Sequence, residues 1–366
     1  MADHRIPLTV LTGFLGAGKT TVLNRLLRQP ELHGTAVLIN EFGEVGVDHL
    51  LVEKIDDSLV LLDSGCICCT VRGDLTRALK DLFMRSLRRE IPPLSRVLIE
   101  TTGLADPAPV VLSITEDMFI AERYRSDGVV AVVDATHGLE QIGRHAEALK
   151  QAAMADRLLL TKCDLARQPA VQELSERLRG LNPAAAQIFV YHGEVAAASV
   201  LGADLFDGKG KSPDVAAWLA DERVRETARQ AHSHHHEHDS NRHDAHIRSF
   251  VLEFAEPFDW YDFTEALDVL LATCGQRILR VKGLVNVVGD PQPRIVHCVQ
   301  HVRYPSASIP DWPVAGHYAD RHSRLVFIVR DLSQEIVTSA FRMFCEARPI
   351  ESREVFFPQM KKEQQT

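Results

Sequence analysis

The sequence predicts an α/β fold with a mostly parallel sheet, followed by a small α+β C-terminal domain. Two observations predict it. In the first half, short continuous apolar runs alternate with amphipathic stretches, as strands buried on both faces between helices do. From Ile247 the order changes to strand, helix, three strands and helix, which suits helices layered on one face of a sheet. At 366 residues the chain has room for about two domains of roughly 150 residues each.

The elements follow in order. PLTVLT (7–12), TAVLIN (35–40), RVLIETT (96–102), GVVAVVDA (128–135), RLLLTKCD (157–164) and QIFVYH (187–192) read as buried strands. Between them Lys19–Arg28, Leu75–Arg89, Gly138–Met154 and Val171–Leu178 carry a helical apolar period. DLFDGKGKSPD (204–214) is a loop, VAAWLADERVRETARQ is helical, and AHSHHHEHDSNRHDAH (231–246) is polar with no hydrophobic period. IRSFVLEF, RILRVKGLVNVV, RIVHCVQHVRY and RLVFIVRD then read as strands, with DWYDFTEALDVLLATC and SQEIVTSAFRMFC as helices. The expected division is 1–203, a helical segment and His-rich linker over 204–246, and a C-terminal domain over 247–355.

Composition removes several function classes. Apolar residues make up 45% and charged residues 25%, ordinary values for a chain with a real core. A net charge of −9 argues against nucleic-acid binding through a broad basic surface. No apolar run approaches the roughly 18 residues of a membrane span. The N-terminal apolar stretch is too glycine-rich for a signal core, so the expected location is cytoplasmic.

GFLGAGKT (13–20) fits G-x-x-x-x-G-K-[ST] at every fixed position, after one predicted strand and before a helix. The glycines Gly13, Gly16 and Gly18 let backbone N–H groups curl around phosphate oxygens, with Ala17 and Thr21 in the same turn. Lys19 supplies charge to the β- and γ-phosphates, and Thr20 offers its hydroxyl to Mg²⁺. This predicts a P-loop NTPase domain. Glu100 ends a buried strand, where it would hold Mg²⁺ through water or orient the attacking water. In TKCD (161–164), Asp164 is placed to accept the N1–H and N2–H₂ donors of guanine, and Lys162 to lie along the base. Thr161 stands where the usual guanine motif has Asn.

SGCICCT (64–70) puts three of the seven cysteines, Cys66, Cys68 and Cys69, within four residues. Thiolates at this density suit Zn²⁺, Cu(I) and, less strongly, Co²⁺. A redox sensor and small buried cysteines filling a turn are the other readings. Glu41 or Glu44, in NEFGEVGVD, stands where it could approach such a site. His232, His234, His235, His236, His238, His243 and His246 are seven of the seventeen histidines within fifteen residues. They read equally as a secondary metal site or as a solvated linker with incidental metal affinity. His297, Cys298 and His301 lie on one expected strand and read as packing residues.

With TGFLGAGKTT, INEFGEVGVD, GCICC, ETTGLADP, TKCD, the His-rich linker and RVKGLVNV on the page, the chain resembles the CobW-type P-loop GTPases. Within them it is similar to the YjiA-like, zinc-handling branch. The resemblance implies GTP binding with Mg²⁺ and slow GTP hydrolysis. It also implies Zn²⁺ or Co²⁺ at the cysteine motif and delivery to a metal-requiring client protein. The INEFGEVGVD segment resembles the family's switch region, which places Asp48 near the γ-phosphate–Mg²⁺ pair and Glu41 near the thiols. The N-terminus lacks the Cys-Pro docking motif of some eukaryotic members, so their client does not carry over. No nucleic-acid or membrane partner is expected; self-association is left open. No arginine finger is identifiable, which fits slow intrinsic turnover. The alternatives are a nucleotide-binding metal buffer without catalysis and an ATP-dependent kinase on the same loop.

Overall fold

The computed structural model describes residues 4–39, 60–63, 71–202, 247–304, 306–312, 316–347, 349–350 and 353–355. These form two compact units, each with its own sheet. Glu41, Asp48, Cys66, Cys68, Cys69 and the seven linker histidines lie outside the described residues.

The first unit runs β1 (Ile6–Gly13), α1 (Lys19–Leu27), β2 (Thr35–Ile39), β3 (Val60–Asp63), α2 (Val71–Leu87) and β4 (Arg96–Glu100). It continues with α3 (Ala108–Glu116), α4 (Met118–Arg123), β5 (Tyr124–Asp134), α5 (Gly138–Arg144), α6 (Ala146–Met154) and β6 (Arg157–Thr161). α7 (Gln168–Leu181), β7 (Ala186–Phe189) and α8 (Ala197–Val200) complete it. Seven strands pair in the order β3-β2-β4-β1-β5-β6-β7, every pair parallel. The sequence predicts six of them; the four-residue β3 has no counterpart among the expected strands. β1 is central, and its neighbours β4 and β5 connect in opposite directions along the sheet. A ligand crevice opens at the carboxyl ends of strands at such a reversal. Glu100 lies opposite both Leu11 and Ile39, Gly13 opposite Val132, and Asp134 opposite Thr161. One sheet edge therefore gathers the phosphate loop, Glu100 and the TKCD turn.

The helix expected over Gly138–Met154 is two helices. His145 adopts an extended conformation (φ −120°, ψ 117°) and begins α6 in a new direction. α3 and α4 also lie outside the expected elements. The buried face of α3 includes Ala108, Val110, Val111, Leu112, Ser113 and Ile114, so no polar stripe marks its period.

The amino end of this sheet holds a buried polar hub. A bulge between β1 and β5 leaves Asp127 as an extra residue, followed by Gly128 at φ 101°. Asp127, 1% exposed, pairs with Arg96 and lies 3.6 Å from Arg125. It accepts the Thr9 hydroxyl (3.1 Å) and the Gly202 N–H (3.2 Å). Arg157 donates to the carbonyls of Ser199 and, at 3.0 Å, Gly202. Asp127→Ala strands two nearly buried guanidinium groups, and breaking a buried ion pair from one side costs about 3–5 kcal/mol. Chemical denaturation should show that loss; a change below about 1 kcal/mol would mean the hub contributes little.

The second unit runs β8 (Ile247–Phe254), α9 (Trp260–Cys274), β9 (Ile278–Val285), β10 (Arg294–Val299), β11 (Val302–Arg303) and β12 (Ala307–Ser308). β13 (Ser323–Arg330), α10 (Gln334–Phe344) and β14 (Arg353–Val355) follow. The sheet is antiparallel, ordered β11-β10-β9-β13-β8-β14 with β12 against β10. Alternate strand residues, among them Phe250, Phe254, Val281 and Phe327, share one core with Phe263, Leu267 and Phe341 of the helices. Both helices thus pack on one sheet face. Capping is local: Asp259 accepts the N–H groups of Tyr261 and Asp262, and Ser333 accepts that of Ile336.

The expected strand RIVHCVQHVRY is a hairpin. Gln300 turns the chain at φ 51°, and β10 and β11 pair across it. His297 and His301 therefore do not share one strand. His297 stacks on Tyr304 (4.3 Å between centroids), and Cys298 is buried, which pushes its thiol pKa up. Among the described residues, no helix is long and apolar enough to cross a membrane.

Candidate nucleotide site

The phosphate loop is set by glycine conformations that other residues resist. Gly13, Gly16 and Gly18 have φ of 146°, 71° and 93°. A Cβ on Gly13 would lie 2.3 Å from the Val132 carbonyl oxygen, so β5 excludes any side chain there. α1 begins at Lys19 with Gly18 as its cap and no capping side chain, which leaves its first N–H groups for an anion. Lys19 is buried, and its Nζ donates to the carbonyls of Gly13 (3.0 Å) and Phe14 (3.4 Å). A phosphate oxygen can replace those acceptors with charge-assisted bonds. Thr20 donates its hydroxyl to Oε1 of the buried Glu100 at 3.1 Å. The hydroxyl and carboxylate predicted for Mg²⁺ are therefore in contact. Glu100 meets Thr20 across the sheet because β4 pairs with β1.

Thr161, at the end of β6, donates its hydroxyl to the Ala17 carbonyl at 2.6 Å, and Val133 O lies at 3.2 Å. Where Asn is usual, Thr thus ties this turn directly to the phosphate loop. Lys162 sits at φ 58°, and its Nζ is 2.7 Å from Oδ2 of Asp134, a carboxylate 2% exposed. Burial works to raise the Asp134 pKa. Lys162 and the donors of Thr136 outweigh it and hold the carboxyl below the ordinary range. Lys162, expected along the base, is thereby anchored at its far end. Asp164 accepts the His192 N–H at 2.9 Å, with the His192 ring Nδ1 3.1 Å from its other oxygen. The backbone N–H is the main cause that keeps the Asp164 pKa low. His192 (φ 52°) and Gly193 (φ 75°) form a tight turn closed by Glu194 N–H on Tyr191 O. That turn sits on Thr21: a Cβ on Gly193 would lie 2.9 Å from Thr21 Cγ2.

Several of these residues escaped the sequence reading. Asp134 and His192 carried no motif. Gly103 did carry a signal, lying three residues after Glu100 in ETTG. It is buried, and a Cβ there would lie 2.7 Å from Leu15 N and 2.8 Å from Leu15 Cα. The loop after β4 and the phosphate loop thus touch backbone to backbone.

Away from this edge, Glu253, Asp320 and His322 form the one group with metal-ligand spacing among the described residues. Arg324 donates to Glu253 at 2.6 Å and to Asp320 at 2.8 Å, so the cluster already holds its cation.

A parallel sheet whose central strand runs into this loop, followed by an antiparallel sheet with two helices on one face, defines a P-loop nucleotide-binding protein with an α+β C-terminal unit. The chain belongs to the CobW family: residues 7–189 match the CobW/HypB/UreG nucleotide-binding domain, and residues 247–345 the cobalamin synthesis protein cobW C-terminal domain. It is 35% identical to the zinc chaperone YjiA of Escherichia coli (strain K12) over 336 residues, 92% of this chain and 98% of that one. It is 30% identical to the zinc chaperone CobW of Sinorhizobium sp, covering 81% and 85% of the two chains. The crystal structure of Zn(II)-bound YjiA GTPase from E. coli superposes with a TM-score of 0.64 at 29% identity, covering 93% of this chain and 99% of that one.

Proposed function

We propose that this chain is a Mg²⁺-dependent GTPase whose nucleotide state governs the binding of Zn²⁺, or a related metal such as Co²⁺, and its transfer to a client protein. The observation that carries the reading is the Thr161–Ala17 bond, which makes the phosphate loop and the Asp164 turn one site. A carboxylate preset by a backbone N–H suits the paired donors of guanine, which adenine lacks. The names of the relatives, zinc chaperones and a Zn(II)-bound GTPase, support the metal half.

Lys19, the loop amides and Mg²⁺ held by Thr20 and Glu100 would bind the phosphates and stabilise charge in the transferring group. Intrinsic turnover on this reading is slow. The chain leaves β3 at Asp63, beside Ile39 and so on the carboxyl edge that carries Glu100, and resumes as α2 at Val71. Cys66, Cys68 and Cys69 fall between those two points in sequence. Zn²⁺ is cargo here, not a resident cofactor.

The test is Zn²⁺ affinity measured with a non-hydrolysable GTP analogue and with GDP, for wild type and a Cys66/Cys68/Cys69→Ser variant. Wild type should bind differently in the two states, and the variant should lose the tighter site. Equal wild-type affinities would sink the coupling. Absence of multiple-turnover phosphate release would favour a metal buffer, and ATP outcompeting GTP would favour a kinase.

A further inference from the structure

The α6 helix carries a buried side chain that no part of the site chemistry explains. Gln151 is 1% exposed, and its Nε2 donates to the carbonyls of Ala105 at 3.0 Å and Gly103 at 3.2 Å. Two carbonyl acceptors fix the orientation of the amide, with nitrogen toward the loop. Its Oε1 has no hydrogen-bond partner among the described residues. Gln151 also lines a cavity of about 10 Å³ with Phe14, Val132, Gln141, Ile142 and Ala148, room for about one water.

The same helix grips both loops. Lys150 pairs with Asp106, whose Oδ1 accepts the Ala108 N–H at 2.9 Å. His145, at its start, stacks on Phe14 of the phosphate loop with centroids 4.6 Å apart. Gly103 in turn rests on Leu15. Phosphate loop, α6 and Gly103 loop therefore form a closed ring of contacts, and Gln151 is the member that fixes the peptide planes following Gly103 and Ala105. A buried amide on two carbonyls is costly to leave half-paired, so it holds one loop conformation.

We propose that Gln151 is the positioning residue that sets the Gly103 loop against the phosphate loop and so tunes the response to the third phosphate of the nucleotide. The proposal rests on the GTPase reading above. A merely structural role predicts equal loss for di- and triphosphate; a positioning role predicts unequal loss.

The test uses the full chain with Gln151→Met, which keeps shape and removes the donor, and Gln151→Glu, which sets acceptor oxygens against two carbonyls. Affinity for a non-hydrolysable GTP analogue should fall about tenfold, with GDP affinity changed by less than about twofold. kcat should fall more than KM rises. Equal losses for both nucleotides, or no loss, overturn the proposal. If either variant misfolds, hydrogen exchange on wild type decides: amides 103–106 should slow between the GDP and GTP-analogue states, and unchanged exchange overturns it. Wild type that responds to the third phosphate while both variants respond alike sinks Gln151 alone. Wild type that binds both nucleotides identically sinks the GTPase-switch reading as well.

Discussion

Gly103→Ala is expected to cost about 10²-fold in GTP hydrolysis while leaving GDP binding within a few-fold. The argument is steric. The added Cβ would lie 2.6 Å from Leu15 Cδ2, 2.7 Å from its N and 2.8 Å from its Cα. The side-chain carbon can swing away, but the two backbone atoms belong to a loop fixed by Gly13 against Val132 and by Thr161 on Ala17. The Gly103 loop is therefore the part that moves, by about an ångström, and a shift of that size is enough for about 10²-fold in rate. On the proposed reading GDP would be held by the phosphate loop and the Asp164 turn, which the Thr161–Ala17 bond keeps in place. Single-turnover phosphate release, read beside GDP titration, checks the split. Hydrolysis within threefold of wild type would place the Gly103 loop outside the reacting centre.

Asp164→Asn is expected to exchange one base preference for another. Guanine presents N1–H and N2–H₂, which a carboxylate accepts together; Asn keeps one acceptor and points a donor at the other. Losing one hydrogen bond to a charged partner, about 1.5–3 kcal/mol, weakens GTP by about 10–10²-fold. Xanthine has a carbonyl at the second position and matches the amide, so XTP should gain what GTP loses. Asn is preferable to Ala because its Oδ1 can still accept the His192 N–H that shapes the turn. Competition of GTP, XTP and ATP for the site reads the result. A variant that keeps the wild-type order would remove Asp164 from base recognition.

The parts of the site visible in sequence are those where chemistry demands residue types at fixed spacing. The phosphate loop needs its glycines in order, and Glu100 and TKCD sit where strands must end. The contacts that join these parts are long-range. Thr161 meets Ala17 across 144 residues, and Gln151 meets Gly103 across 48, with no local pattern to announce either. The same holds for element ends. Gln300 takes a left-handed turn that a glycine would have signalled, while the apolar alternation runs on through it. His145 breaks a helix where no proline stands; its backbone is extended and its ring stacks on Phe14, a contact across 131 residues that no local pattern signals. α3 was hidden for the opposite reason: buried nearly all round, it lacks the polar face by which a helix is read. The antiparallel unit was more legible, since period-two alternation on its strands sorts Phe250, Leu252 and Phe254 from their neighbours directly.

The 2.6 Å bond from Thr161 to the Ala17 carbonyl also governs how the two ends of a nucleotide cooperate. A base and a phosphate chain bound by separately moving segments would each bring its own entropy of localisation. Here the segments are stitched together, so once the phosphates are seated the base arrives at a high effective concentration, as the second arm of a bivalent ligand does. Guanosine and pyrophosphate offered as separate molecules should then bind far more weakly than their linked form, by more than the sum of their contacts explains. Cutting the stitch, with Thr161→Val, would erode that advantage, since a side chain of nearly the same shape then lacks the hydroxyl donor to Ala17.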